Sequence, residues 1–271
     1  MCPHCRAFIT TKDRVCPYCN EPVARRTVDR GNASSILGGF IPHARFVTSM
    51  ILLLNGLLYL ATGLYSMSTG NGNLMNLDMQ TLWEFGAKLP QSILGQGQWW
   101  RLVTAGFLHG GLIHIAMNSW VLFDLGAQIE EVFGPARLIV IYFFATVGGF
   151  LTSTFFSRAL SIGASAGIMG LIGAMIALGM MHRSAVGDAI RRVYVRYAIY
   201  MVIFGLLPFF SVDNAAHVGG LATGFVVARI AGLPRPVART EQIWHFASYA
   251  CLGLTALCFV KMYLAFTAIQ P

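Results

Sequence analysis

A chain of 271 residues with 56% hydrophobic and only 11% charged side chains carries more apolar surface than a water-soluble domain of this length can bury. Composition therefore argues against a soluble enzyme and favours a membrane protein. The net charge of +8 would suit nucleic-acid binding, but no basic surface pattern with interleaved aromatic residues accompanies it, so a nucleic-acid partner is not expected.

The chain opens with two Cys-x-x-Cys pairs, Cys2 with Cys5 and Cys16 with Cys19, which are separated by ten residues. Four thiolates in two turns match the tetrahedral ligand set of structural zinc, whose binding energy can fold a segment too short for its own core. Residues 1–24 are therefore predicted to form a zinc ribbon. A pair of disulfides is the alternative, and it requires an oxidising compartment. The sequence does not indicate what partner such a ribbon would bind.

A basic linker at residues 25–44 leads to seven apolar runs, each close to the ~20 residues that a helix needs to cross the hydrocarbon core. The runs lie at 46–67, 108–128, 138–157, 163–182, 193–210, 214–231 and 244–267. No cleavable signal peptide is expected before them, because the first 45 residues are polar and basic. The predicted fold is an all-α polytopic membrane protein with a six-helix core at 45–235 and an additional C-terminal transmembrane helix within 236–271.

The basic residues are distributed unevenly between the two sides of this predicted bundle. Fifteen Lys and Arg lie in the N-terminal tail and in the connections on its side, whereas four lie on the other side. Short cytoplasmic loops retain the positive excess. We therefore expect a cell-membrane protein with the N-terminus and the zinc ribbon in the cytoplasm and the C-terminus outside. Every even-numbered run then begins at the outer face.

Polar side chains occur near the start of the second, fourth and sixth runs, where lipid would make them costly. His114 and Asn118 are four residues apart in the second run, Ser165 lies within Gly163-Ala-Ser-Ala-Gly167, and His217 follows Asp213 by four residues. Because these runs begin at the same face, His114, Ser165 and His217 should share a depth of roughly 5–15 Å below the outer surface.

These residue types suit acyl transfer. A serine hydroxyl is inert until a neighbouring base removes its proton, and the imidazole of His217 titrates in the useful range. His114, Asn118 and the Ser165 backbone amide are candidate donors to the oxyanion. Asp213 is best interpreted as a helix N-cap, so the sequence predicts a Ser165–His217 dyad without an acid.

Each feature has an ordinary structural interpretation when taken alone. Glycines on either side of Ser165 also fit small-residue helix packing, and the same pattern matches a nucleophile elbow, which needs a strand that is absent here. His217 or His109 alone would normally be an interhelical hydrogen-bonding residue. Their joint occurrence at one depth favours the catalytic hypothesis.

Over roughly residues 45–235 the sequence resembles the rhomboid intramembrane proteases. The resemblance rests on Trp100-Arg101, His114 with Asn118, Glu130 with Gly134, Gly163-x-Ser165, and Ala216-His217 with Gly220 and Gly224. It implies a six-helix core around a water-filled cavity that opens to the extracytoplasmic face. Ser165 would be the nucleophile, His217 the base, and His114, Asn118 and the Ser165 amide the oxyanion hole, with no cofactor for catalysis. The substrates would be single-span transmembrane proteins within the lipid bilayer.

The resemblance also implies structural roles. Gly220 and Gly224 would let the sixth span press against the fourth, Trp100-Arg101 would organise the first loop, and Glu130 would belong to a network at the inner face. Two positions depart from the family pattern. Ala166 stands where glycine is common, and Met169 stands where an aromatic ring often stacks on the histidine.

Two rival functions predict different sequences. A catalytically silent protein of the same fold that binds client transmembrane helices would be expected to lose Ser165 or His217, and both are present. A transporter with proton-relaying histidines predicts an inverted repeat, and the sequence shows none.

Overall fold

The computed structural model describes residues 5, 15–20, 45–70, 72–182, 184–207, 212–234 and 238–268. The chain divides into two compact units, Met1–Ile41 and Pro42–Pro271. The described residues form helices, and no β-strand longer than an isolated bridge occurs among them. The prediction of an all-α fold is confirmed.

The helices of the larger unit are α1 (Phe46–Ser68), α2 (Met79–Glu84), α3 (Arg101–Thr104), α4 (Leu112–Phe133), α5 (Pro135–Phe156), α6 (Ser165–Met181), α7 (Ala185–Phe204), α8 (Asn214–Ala231) and α9 (Ala238–Thr267). The short helices α2 and α3 lie in the loop between α1 and α4, called here the first loop (residues 69–111). That loop also contains a π-helical turn at Gln91–Gly95 and a 3₁₀ turn at Ala105–Phe107.

Four of the described helices, α1, α4, α5 and α9, are long and apolar enough to cross a membrane. Helix α6 is apolar but has only 17 residues. It is buried along nearly its whole length and forms the centre of the hydrophobic core, so other helices rather than lipid surround it. The predicted membrane fold is confirmed, whereas the count of seven spans remains a prediction.

Two helix boundaries differ from the apolar runs, for local reasons. Helix α4 begins at Leu112 rather than 108 and continues to Phe133, where Gly134 turns the chain with a φ of +80° into α5. Helix α7 begins at Ala185, before the apolar run at 193, because the Ser184 hydroxyl caps its N-terminus by accepting from the Gly187 amide at 3.2 Å.

Glu130 joins α4 to the start of α1 at the end of the bundle opposite the candidate site. Its carboxylate accepts from the backbone amides of Val47 and Thr48 at 2.9 Å each and from the Thr48 hydroxyl at 2.8 Å, and it is 4% exposed. A carboxylate at a helix N-terminus satisfies orphan amides and complements the helix dipole. Glu130 therefore belongs to a structural network, as the family resemblance implies.

Arg137 fixes the start of α9 at the same end. Its guanidinium pairs with both oxygens of Glu241 at 2.7 and 2.9 Å, and it lies 5.3 Å from the ring centroid of Trp244. Two-pronged pairing of this kind is geometrically demanding, since both N–H···O bonds must align. The additional C-terminal helix is thereby held to α5.

Arg101 organises the first loop. It is 1% exposed, donates to the carbonyl oxygens of Trp83 and Ala87 at 2.6 and 2.9 Å, and lies 4.7 Å from the ring centroid of Trp100. Burial lowers the pKa of Arg101 to about 10, so the guanidinium stays charged at neutral pH. The role in first-loop structure that the resemblance implies for Trp100-Arg101 is confirmed.

Candidate active site

His217 lies in the first turn of α8, which Asp213 caps. The Asp213 carboxylate accepts from the Ala216 amide at 3.0 Å, as predicted for an N-cap, and the Asp213 carbonyl accepts from the His217 amide at 3.0 Å. The imidazole is only 3% exposed, and its Nδ1 atom has no hydrogen-bond partner among the described residues. A buried imidazole with an unengaged nitrogen is available to exchange a proton with a neighbour.

Ser165 is the first residue of α6, and the chain reaches it through a tight turn at Gly163. Gly163 has a φ of +120°, and its amide donates to the Ala105 carbonyl of the first loop at 2.9 Å. This conformation favours glycine strongly. The first amides of a helix lack intrahelical acceptors, so the Ser165 amide sits where a helix N-terminus attracts negative charge.

The His114 ring lies beside the same turn. A methyl group at Gly163 would lie 2.8 Å from His114 Nε2 and 3.7 Å from Ser165 Oγ, so the imidazole and the hydroxyl flank one point. The Gly110 amide donates to His114 Nδ1 at 3.4 Å, which leaves the ring proton on Nε2. His114 Nε2 is therefore an N–H donor that faces the Ser165 turn.

Asn118 lies one turn further along α4 and is 8% exposed. Its side-chain amide donates to the His114 carbonyl at 3.0 Å, within its own helix. Asn118 therefore lies next to His114, but its NH₂ group is already engaged. The Asn118 side chain would have to rotate before that group could donate to an oxyanion.

Close packing of α6 and α8 brings their first turns together. A Cβ at Gly220 would overlap the Ala166 carbonyl oxygen, and a Cβ at Gly224 would overlap the Gly170 carbonyl oxygen. The packing role implied for both glycines is confirmed. Ser165 and His217 are each within one turn of the Gly220–Ala166 contact, although no hydrogen bond joins their side chains among the described residues. Catalytic hydrogen bonds are often loose in substrate-free sites.

The two positions that depart from the family pattern are both buried. Ala166 is 1% exposed and lies against Gly149 of α5, where a Cβ on the glycine would come within 2.8 Å of the Ala166 methyl. Met169 is fully buried in the main hydrophobic cluster. At both positions small or flexible apolar groups fill the helix interface.

His109 is a residue of the site that sequence reasoning misjudged. We expected an ordinary hydrogen-bonded histidine, but its ring is fully buried and neither nitrogen makes a hydrogen bond of normal geometry among the described residues. Its centroid lies 5.1 Å from that of His114. The expectation was wrong because the buried His109 ring packs edge-on against the His114 ring rather than against a hydrogen-bonding group of a neighbouring helix.

A groove of about 960 Å³ runs between α4 and α7, and no motif pointed to it. Its walls are mostly exposed apolar and aromatic side chains, and its floor is formed by buried residues of α4 and α6. At the end away from Ser165, the Tyr194 hydroxyl donates to Gln128 at 2.8 Å and ties α7 to α4. The lining comprises Leu52, Ala116, Ser119, Trp120, Val121, Phe123, Asp124, Leu125, Ile172, Tyr194, Tyr197, Tyr200 and Met201.

In the smaller unit, Cys5, Cys16 and Cys19 converge. Their sulfur atoms all lie within 4.8 Å of one another, and the Cys5 and Cys16 sulfurs are 3.6 Å apart. That separation is too long for a disulfide and is close to the ~3.8 Å expected between two thiolates on one tetrahedral zinc with Zn–S bonds of about 2.3 Å. The cluster therefore fits a metal ion. Cys2, the fourth predicted ligand, lies outside the described residues.

The fold and the site together define a multi-pass membrane protein that holds a serine hydroxyl and imidazoles at one end of a helical bundle. A family model described as the rhomboid domain matches residues 96–233. The match covers half of the chain, so the chain belongs to the rhomboid family.

Curated relatives include both proteases and a member named inactive. The rhomboid protease GluP of Bacillus subtilis is 36% identical over 165 residues, which is 61% of this chain and 32% of that protein. Rhomboid-like protease 1 of Toxoplasma gondii is 32% identical over 189 residues, or 66% of this chain and 63% of the relative. Inactive RHOMBOID-like protein 8 of Arabidopsis thaliana is 32% identical over 156 residues, or 56% and 44%. The chain thus spans less than two thirds of the length of each of these relatives.

Proposed function

We propose that this chain is an intramembrane serine endopeptidase that cleaves transmembrane segments with Ser165 as nucleophile and His217 as general base. The observation that carries the proposal is the backbone-to-backbone packing of α6 and α8 at Gly220 and Ala166, next to the Ser165 turn that His114 Nε2 faces. A hydroxyl, a buried imidazole and an N–H donor near one helix N-terminus are the groups that acyl transfer requires.

In the proposed reaction His217 accepts the Ser165 hydroxyl proton while Oγ attacks the scissile carbonyl carbon. The oxyanion that forms receives hydrogen bonds from the Ser165 amide, from His114 Nε2–H and, after rotation, from Asn118. When the C–N bond breaks, the imidazolium of His217 gives its proton to the leaving amine, and water then releases the acyl group by the reverse proton path. Each oxyanion donor typically contributes about 3–4 kcal/mol to transition-state stabilisation.

The groove between α4 and α7 supports a transmembrane helix as the substrate. Trp120 is 80% exposed and Tyr200 is 61% exposed, and such apolar walls would suit a lipid-embedded helix entering from the side. The groove residue Ala116 lies two residues from both His114 and Asn118 on α4, at about the depth of the site but on the other side of the helix. A segment lying in the groove would therefore reach the site by unwinding at its end and passing over the first turn of α4. Unwinding exposes backbone groups that must be satisfied, which favours substrates weakened by glycine or proline near the cut.

The orientation proposed from charge is unchanged. Arg137 lies in the first turn of α5, and Arg191 and Arg192 lie in the N-terminal half of α7; both helices begin at the end of the bundle opposite Ser165, and this supports a cytoplasmic location of that end. The site would then open to the extracytoplasmic face, with the zinc ribbon at 1–24 and the basic linker at 25–44 in the cytoplasm and residues 236–271 ending outside.

A fluorophosphonate probe tests whether the protein is an enzyme. We expect the purified protein in detergent to be labelled at Ser165, because only an activated serine displaces the probe's leaving group, and we expect Ser165→Ala to abolish labelling. Ser68→Ala, which removes an exposed hydroxyl at the end of α1, is the matched control and should be labelled normally. Equal labelling of wild type and Ser165→Ala would contradict the proposal.

A second candidate function is the binding of client transmembrane helices without cleavage, and the existence of a relative named inactive is the reason to test it. The same labelling separates the two functions, since a binder would retain the groove between α4 and α7 without an activated serine.

We also propose that Cys2, Cys5, Cys16 and Cys19 bind one structural Zn²⁺. Cys16→Ser should lower zinc from about one ion per chain to near zero by elemental mass spectrometry, because three ligands bind far more weakly than four. Cleavage by the membrane unit should persist within about threefold, since no catalytic residue lies in the ribbon. Cys258→Ser in α9 is the control, and an unchanged zinc content in Cys16→Ser would refute the assignment.

A further inference from the structure

Asp213 makes more contacts than helix capping requires. One carboxylate oxygen accepts from the Ala216 amide, and the other accepts from the hydroxyl of Ser153 on α5. Ser153 is fully buried, so this contact is shielded from water. The carboxylate is therefore held from two helices, one turn before His217.

The charged and titratable groups around His217 come from three elements. Asp213 lies at the N-terminus of α8, the helix that carries His217. His114 lies on α4, and the ring of His109 packs against it. From the first loop comes Lys88, which acts electrostatically on Asp213. Asp213 is the one carboxylate that acts on His217 among the described residues. Its negative charge is thus the local source of stabilisation for a positive imidazolium.

Lys88 is itself fully buried. Its ammonium donates to the carbonyl oxygens of Ser157 and Ala159 at 2.8 and 3.2 Å, at the end of α5 where the helix dipole favours a cation. Burial lowers the pKa of Lys88, and the charge of Asp213 raises it. Because carbonyl oxygens hold the ammonium, Lys88 does not form an ion pair with Asp213, and the carboxylate charge remains available to His217.

We propose that Asp213 is a positioning residue whose charge stabilises the imidazolium of His217 from one turn away, without contact with the ring. In the acylation step His217 becomes positive as it takes the Ser165 proton, and the fixed carboxylate lowers the energy of that state. The inference rests on the proposed protease function. It gives the N-cap carboxylate of α8 an electrostatic role in catalysis, which does not require a hydrogen bond between the carboxylate and the imidazole.

Asp213→Asn separates charge from capping, because asparagine is an equally good N-cap. Its one oxygen can accept from the Ala216 amide, and its NH₂ group can donate to the Ser153 hydroxyl oxygen in place of the present bond. Without the carboxylate the imidazolium is less stable, so the pKa of His217 falls. The neutral base then persists to lower pH, and the acidic limb of the kcat/KM profile should move down by about 0.5–1 unit. The plateau should drop about 3–10-fold, while the melting temperature stays the same.

Histidine-selective NMR titration of the full chain in detergent micelles provides the same pKa without any turnover. Ser153→Ala is the control, because it removes the hydroxyl that donates to Asp213 and retains the Asp213 charge. The acidic limb of its kcat/KM profile should stay at the wild-type pH. An unmoved His217 pKa in Asp213→Asn, or an equal shift in Ser153→Ala, would overturn the inference. Wild-type protein that neither cleaves nor labels would instead overturn the proposed function, and the NMR comparison would still decide the inference.

Discussion

Alanine at Ser165 or at His217 should each lower cleavage of a model transmembrane substrate by at least about a thousandfold. Without Oγ no acyl-enzyme can form, and without the imidazole the hydroxyl keeps its proton. The double variant should be no worse than either single variant, because residues that act as one unit are not additive. The measurement is cleavage in detergent or proteoliposomes, with the melting temperature recorded for every variant.

Folding must be separated from chemistry in that experiment. Ser165 is partly exposed at the start of α6 and His217 Nδ1 has no partner among the described residues, so neither truncation breaks a hydrogen bond that the fold depends on. Ser165→Ala should therefore melt close to wild type, and His217→Ala should melt somewhat lower but still cooperatively, because truncating a buried ring leaves a cavity. Residual cleavage above one tenth in either variant would rule out the Ser165–His217 mechanism.

The candidate catalytic residues were accessible from sequence because they sit in short, local patterns. Asp213 capping His217's helix follows from four adjacent residues, and the glycine at 163 marks a turn directly before Ser165. The prediction that α4, α6 and α8 begin at the same end of the bundle follows from counting apolar runs that alternate in direction. In these cases the physical constraint acts within one or two helical turns.

Other features depend on partners far apart in the chain. The Glu130 carboxylate accepts from Val47 in the first turn of α1, 83 residues earlier, and nothing local to either segment shows this contact. The first half of α7 contains basic residues, so its hydropathy is low and the apolar run begins after the helix does. The groove between α7 and α4 arises from the packing of two separate elements, which no single segment of the sequence indicates. The burial of His109 likewise needed the folded path of the first loop.

Gly220→Ala should impair cleavage more than it impairs stability. The new Cβ would overlap the backbone carbonyl of Ala166, which is not a flexible side chain and cannot move aside without shifting α6 or α8. Overpacking of this kind costs about 1–3 kcal/mol of the free energy of unfolding. His217 is less than one turn away, and misplacement of a catalytic group by about 1 Å costs about a hundredfold in rate.

Gly224→Ala is the matched comparison, because its Cβ would overlap the carbonyl of Gly170 one turn further from Ser165 and His217. Its loss of stability should equal or exceed that of Gly220→Ala, while its loss of cleavage should be several-fold smaller. Gly253→Ala in α9, which would meet nothing within 4 Å, should change neither quantity. Chemical denaturation and cleavage rates measured on all three variants decide the matter. If activity merely follows stability across the series, then the α6–α8 contact supports the fold without setting the distance between hydroxyl and imidazole.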